Sequence, residues 1–258
     1  MKINQVNQDM HELACWLLED NGINSSVLSR YKEPHRYYHN WKHIEDMLKW
    51  LIVNKIEDKS IFLATIFHDI VYDPKLKDNE EKSAELFKEL WKGDGHTCKE
   101  VVQMILDTKT HQPTSKKSVL LCQADLNIFD KPLNEIIEYD KQIFKEYQFV
   151  DWNKYREGRL EVLKKLSNNI KFSSGGVLNL FNLIDYFKSF QPKIGVFTGS
   201  FNPYHIGHQN ILEKAEKVFD KVIIARGVNA DKNIKELTNN FPSHLNYHQQ
   251  EMYNGLIT

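Results

Sequence analysis

Apolar residues recur at helical spacing through the first two-thirds of the chain. Leu13, Trp16 and Leu17 set this pattern over residues 12–18, and Ile44, Leu48 and Leu51 form one stripe across 41–53. Residues 61–71 are almost continuously apolar, which predicts a helix buried on every side. The same spacing predicts helices over 80–91, 98–108, 116–128, 133–144, 152–166 and 177–190. The pattern then changes. Ile194-Gly195-Val196-Phe197 is a short apolar run, a glycine-containing turn follows it, and residues 209–219 are amphipathic. That order reads as strand, turn, helix.

Asp73-Pro74, Gly93-Asp94-Gly95 and Gln112-Pro113 mark breaks between helices, and residues 173–176 separate the last two. Gln191-Pro192 opens a second module, so the predicted division is 1–190 and 191–258, with the boundary inside 171–192. The 258 residues are 41% hydrophobic and 12% aromatic, enough for two modest cores. With 34 basic and 35 acidic residues the net charge is −1, which carries no global attraction to nucleic acid or membrane. Cys15, Cys98 and Cys122 are scattered, so neither a disulfide framework nor a cysteine zinc site is expected. The polar N-terminus lacks a signal-type apolar stretch, and no transmembrane run occurs, so the expected setting is a reducing cytoplasm.

The turn after 194–197 reads Thr198-Gly199-Ser200-Phe201-Asn202-Pro203-Tyr204-His205-Ile206-Gly207-His208. A helix N-terminus offers unpaired N–H groups and a positive dipole end, and two histidines placed there suit a phosphate. The GSFNP turn with its HxGH motif resembles the HxGH nucleotidyltransferase superfamily, especially its pantetheine-phosphate adenylyltransferase branch, over about 193–258. The resemblance implies a second strand at 221–225 and a third at 250–258. It also implies ATP as the nucleotide, with His205 and His208 on its phosphates. Thr198, Gly199, Ser200 and Phe201 would approach nucleotide or acceptor, and Lys232 would meet a phosphate. The family's later strands and its ISSTxxR-type loop do not follow, so this module is expected to be the N-terminal part of such a domain, truncated or a remnant. An open sheet edge would then pair with another chain, as in a homo-oligomer, or pack on the helical module.

A second set of chemical residues lies in the helical part. Tyr38-His39-Asn40-Trp41-Lys42-His43 opens one helix, Phe67-His68-Asp69 closes the apolar one, and Ala124-Asp125-Leu126 lies in a later one. Imidazole and carboxylate ligands gathered from several rigid elements suit a divalent ion, which activates water and stabilises charge on a phosphoryl oxygen. The order His, His-Asp, Asp resembles the HD superfamily of metal-dependent phosphohydrolases over roughly 8–190. That resemblance implies His39, His68, Asp69 and Asp125 as ligands of Mn, Fe, Co, Mg or Zn, with His68 and Asp69 at the reacting centre. His43, one turn after His39, faces either the same pocket or solvent. Lys109 and His111 are candidates for a phosphate contact and a histidine acid or second-metal ligand, against a solvated loop. The resemblance brings Glu80 or Glu81 toward the site, with Glu81 favoured. Arg156 and Arg159, three apart, form either a bidentate phosphate clamp or a solvated face.

The expected fold is therefore a mainly α HD-type helical bundle followed by a partial α/β Rossmann-like nucleotidyltransferase module. The leading functional expectation is hydrolysis of a small phosphorylated compound such as a nucleotide. Adenylyl transfer to a phosphorylated acceptor such as phosphopantetheine is the alternative, and a non-catalytic nucleotide sensor is the third.

Overall fold

The first helix begins at Asp9, whose carboxylate accepts the His11 N–H at 2.8 Å and caps α1 (Met10–Asp20). The computed structural model describes residues 9–169, 174–201, 203–228, 248–253 and 256–257. In that set follow α2 (Trp41–Val53), α3 (Lys59–Phe67), α4 (Asn79–Leu90), α5 (Gly95–Thr108), α6 (Lys116–Asp125), α7 (Leu133–Glu146), α8 (Trp152–Asn169) and α9 (Ser174–Ser189). Asn40, Asp58, Asp94 and Ser115 cap α2, α3, α5 and α6 through their side chains. None of these helices is long and apolar enough to cross a membrane.

Two differences from the sequence pattern matter for the site. The apolar run 61–71 is helical only to Phe67, because His68 Nδ1 donates to the Thr65 carbonyl (2.9 Å) and the chain turns out at Asp69. The segment 116–128 is α-helical only to Asp125 and then tightens into a 3₁₀ turn, Leu126–Asp130. Both metal-type carboxylates therefore sit where a helix ends. A further 3₁₀ helix, Ser25–Lys32, was not predicted. It brings in the buried Tyr31, whose hydroxyl donates to the Ile66 carbonyl at 2.8 Å.

The helical part has two cores. The first gathers Leu13, Leu17, Ile44, Leu48, Phe62, Phe67, Phe87 and Ile105 around α3, which is buried all round. The second joins Phe129, Ile136, Phe144, Trp152, Leu163, Leu183 and Phe187 from α7, α8 and α9. A cavity of about 490 Å³ is lined from both sides of this division.

The α/β module consists of β1 (Ile194–Gly199), α10 (Ile206–Ala215), β2 (Lys221–Val228), β3 (His248–Tyr253) and β4 (Leu256–Ile257). The order is β1-β2-β3-β4, parallel except for the last pair. The expected third strand, 250–258, is thus two strands joined across an antiparallel reversal. The helix expected over 209–219 runs instead over Ile206–Ala215, its start fixed by the His205 cap.

The module rests on the connector after α7. Lys221 Nζ, buried, donates to the carbonyls of Gln148 and Val150 (2.8 Å to Val150), and Gln148 donates to the Asp220 carbonyl at 3.1 Å. Tyr37 Oη meets Glu216 at 2.9 Å. Burial pushes the Lys221 ammonium down to about 8, and Asp151 opposes that only in part. An unfolded lysine stays protonated to about pH 10.4. Between about pH 8 and pH 10 the unfolded chain therefore binds more protons than the folded one, and stability rises with pH. We predict a gain approaching roughly 3 kcal/mol across that window in urea titrations, and its disappearance in Lys221→Met.

Candidate functional site

Glu146 is the last residue of α7, where a negative charge opposes the helix dipole. Its buried carboxylate is satisfied from another direction. Oε1 accepts the backbone N–H groups of Tyr37 (2.8 Å), Tyr38 (2.7 Å) and His39 (2.9 Å). Oε2 accepts from His39 Nδ1 at 2.6 Å and from the Tyr72 hydroxyl at 2.7 Å. These bonds fix the loop before α2 and put the His39 proton on Nδ1, leaving Nε2 for the cavity that His39 lines. Burial works against charge on both partners, yet the pairing lowers Glu146 and raises His39.

Arg36 ties that loop to the end of α3. Its buried guanidinium donates to the carbonyls of His39 (2.9 Å), Asp69 (2.7 Å) and Ile70 (3.1 Å). Neither Glu146 nor Arg36 was marked as functional from the sequence. The one available signal for Glu146 was its place at a helix C-terminus.

At the centre, two imidazoles face two carboxylates. His43 Nε2 lies 3.1 Å from Asp125 Oδ1 and 3.8 Å from Asp69 Oδ2. His68 Nε2 lies 3.0 Å from Asp69 Oδ2 and 3.8 Å from Asp125 Oδ1. Both Nε2 atoms are buried, and each stands at ion-pair distance from a carboxylate without a well-aligned hydrogen bond to it. Ligand-type atoms of His43, His68 and Asp69 lie within 4.8 Å of one another. The two carboxylates stay ionised: burial raises them, and the surrounding histidines pull both down further. Burial lowers His68, but Asp69 and Asp125 outweigh it and lift the imidazole to about 9. This cluster needs positive charge between its atoms, and a divalent cation with nitrogen and oxygen ligands fits it.

The expected ligand set changes in one member. His43 stands in the cluster with His68, Asp69 and Asp125. His39 stands outside it, its ring centroid 6.0 Å from that of His43 and its Nδ1 held by Glu146. The physical reason is helical phase: His43 is on the inward face of α2 with Ile44 and Met47, whereas His39 precedes the Asn40 cap.

His111 donates from Nε2 to Asp125 Oδ2 at 2.9 Å and holds a left-handed backbone, φ +50°, unusual for a side-chain-bearing residue. Lys109 reaches the cavity wall but is bonded to Glu81 and to the Lys77 carbonyl. Glu81 is accordingly turned away, and Glu80 lines the cavity in its place; burial raises the Glu80 carboxyl. Arg156 and Arg159 do not form a clamp. Arg159 lines the cavity, bonded to Asp140 (2.7 Å) and the Tyr139 hydroxyl (2.9 Å), while Arg156 donates to the Lys188 carbonyl.

In the α/β module the Gly207 N–H donates to His205 Nδ1 (3.1 Å) and the His205 N–H to His208 Nδ1 (3.3 Å). Each ring thus carries its proton on Nε2 when neutral, and the two rings stack with centroids 3.8 Å apart. Burial and the neighbouring His205 lower His208, which favours the neutral form. Thr198 and Ser200 are exposed at the turn beside Gly199. Phe201 differs from expectation. It is buried against Phe197 and His208 with φ +49°, and a Cβ on Gly199 would crowd its ring at 3.1 Å, so it shapes the turn from beneath. Lys232 lies outside the described residues.

Residues 196–253 match the family described as Cytidylyltransferase-like. The chain is similar to the phosphopantetheine adenylyltransferase of Rhodopirellula baltica, at 51% identity over 39 residues, 15% of this chain and 22% of that protein. It is similar to the enzyme of the same name from Mycoplasma capricolum at 50% over 42 residues, 16% and 30% of the two chains. With that of Mycoplasma mycoides it shares 42% over 60 residues, 19% and 43%. The chain therefore spans less than half the length of these relatives. No solved structure matches.

Removing the Glu146 carboxylate strands three backbone donors and two side-chain donors in the interior. Glu146→Leu is expected to lose at least about 3 kcal/mol in urea unfolding, and Glu146→Gln clearly less because its amide oxygen still accepts.

Proposed function

We propose that the helical module is a metal-dependent phosphohydrolase acting on a small phosphorylated compound, and that the α/β module binds a nucleotide by its phosphates. The first part rests on one observation: the buried Nε2 atoms of His43 and His68 face two ionised carboxylates at ion-pair distance without a well-aligned hydrogen bond to them. His43, His68, Asp69 and Asp125 would hold the ion. Two imidazoles favour Mn, Fe, Co or Zn over Mg, which prefers oxygen ligands. When bound there, a divalent cation supplies an acidified water and charge neutralisation for a phosphoryl oxygen.

The chain's own groups do the rest. His39, with Glu146 behind Nδ1, offers Nε2 toward the phosphoryl group. His111 holds Asp125 by its second oxygen and leaves Nδ1 for a proton. Thr108 and Lys109 line the same wall.

A second reading, adenylyl transfer, is favoured by the likeness of residues 196–253 to the adenylyltransferases and by the His205–His208 geometry. Two Nε2–H donors at the N-terminus of α10 suit phosphate oxygens, and nucleotidyl transfer needs chiefly alignment and charge neutralisation. ATP is the nucleotide this reading assigns. A reducing, cytoplasmic setting accords with three unpaired thiols.

Mn²⁺-dependent phosphate release from a panel of phosphomonoesters tests the first reading. Wild type is expected to turn over. Asp69→Ala and Asp125→Ala should lose metal content and turnover together, by more than the roughly 10–100-fold of a change behind the ligands. Metal retained without turnover of any substrate would favour a nucleotide sensor.

A further inference from the structure

The cavity is longer than the ion cluster needs. Beyond His68 and Asp69 it continues along one face of α8, lined by Lys154, Tyr155, Gly158, Arg159, Val162 and Leu166. Three features of that face are unexplained by packing. Gly158 sits inside an 18-residue helix, where glycine weakens the helix relative to alanine, yet a Cβ there would meet no atom within 4 Å. The Tyr155 side chain is buried, but its hydroxyl has no hydrogen-bond partner. Val162 exposes 45% of its surface on the same face. A stretch of cavity wall bare of side chain at Gly158, apolar at Val162 and Leu166 and carrying one desolvated donor suits a planar ring with a polar edge.

Charge limits what that ring is attached to. Arg159 is neutralised by Asp140, and Lys109 by Glu81. Lys154 is the one cavity lysine without a carboxylate partner among the described residues. Glu80 adds a carboxyl to the wall. With Asp69 and Asp125 balancing one divalent ion and Glu80 opposing Lys154, the cavity has too few cations for a triphosphate and favours the smaller charge of a monophosphate.

We infer that the substrate of the helical module is a phosphomonoester carrying a planar heteroaromatic ring, of the nucleoside monophosphate class, with the ring seated on Gly158 and an edge acceptor taking the Tyr155 hydroxyl proton. This rests on the phosphohydrolase reading for the phosphate end only. The ring site is independent of it.

Two measurements on the full chain separate them. The first is calorimetric binding at pH 7 in EDTA, where no metal-dependent turnover occurs, with AMP, UMP, ATP and ribose 5-phosphate as probes. At least one monophosphate should bind about tenfold or more tighter than ribose 5-phosphate, a ring contribution of the size seen for base–aromatic stacking. Tyr155→Phe should reduce that ratio roughly tenfold. Gly158→Leu should abolish the preference while its melting temperature stays at or above wild type. The second is Mn²⁺-dependent phosphate release from the same probes. A ring preference erased by Gly158→Leu without turnover of any probe would keep the ring site and sink the hydrolase. Equal turnover of ribose 5-phosphate and the monophosphates, unchanged by Gly158→Leu, would keep the hydrolase and overturn the ring site. A preference for ATP that survives Gly158→Leu would also overturn it, placing the nucleotide elsewhere.

Discussion

Two largely buried carboxylates facing one pair of imidazoles set the terms for the helical module. Ionised side chains removed from water are costly unless paired, and two of like sign compound the cost. Asp69 and Asp125 meet this with His43, His68 and His111, whose ring nitrogens stand against their carboxylate oxygens. The surrounding architecture keeps this arrangement from relaxing. α3 is apolar on every side so that its end is fixed in depth, Arg36 locks three carbonyls around Asp69, and Glu146 locks the loop carrying His39. The Arg36 and Glu146 groups are hydrogen-bonded polar networks. The two Nε2 atoms at the centre are the exception, and the function proposed for the module follows from that contrast.

The connector after α7 links the two modules. Glu146 points back to the loop before α2, Tyr147 and Val150 line the cavity, and Gln148 with the carbonyl of Val150 receives β2 through Lys221 and Asp220. One short stretch of chain thus supports the cavity wall on one side and the sheet on the other. The histidines of the α/β turn lie at the opposite end of α10 from Glu216, which meets Tyr37. The His43–His68 cluster and the His205–His208 turn are therefore built from separate elements that share this support.

Most of the helical architecture was legible because its amphipathic stripes are regular: residues 41–53 form α2 as predicted, and the other helices differ chiefly at their ends. The ends are where backbone and side chains compete locally, and there the pattern is silent. It ran past Phe67, where His68 bonds back to Thr65, and past Asp125, where the helix tightens. Proximity was legible where residue types were telling: the structure brings His68, Asp69 and Asp125 together and stacks His205 on His208. It was not legible where function depends on phase or distance. His43 rather than His39 enters the cluster because of helical phase. Glu80 rather than Glu81 lines the cavity because Lys109 captures Glu81. Glu146 acts across more than a hundred residues of chain, and Gly158 gains meaning only once the cavity beside it is seen. Phe201, read as a contact residue, is buried because the turn needs a hydrophobic underside.

The most direct test of the central claim is anomalous diffraction from crystals of the full chain grown with Mn²⁺. One strong peak is expected, bounded by Nε2 of His43 and His68 and by the carboxylates of Asp69 and Asp125, with His39 Nε2 and His111 Nδ1 turned to the cavity beside it. A fully diffracting crystal at millimolar Mn²⁺ with no peak there, the two imidazoles bonded instead to ordered water or to the carboxylates as protonated rings, would contradict it.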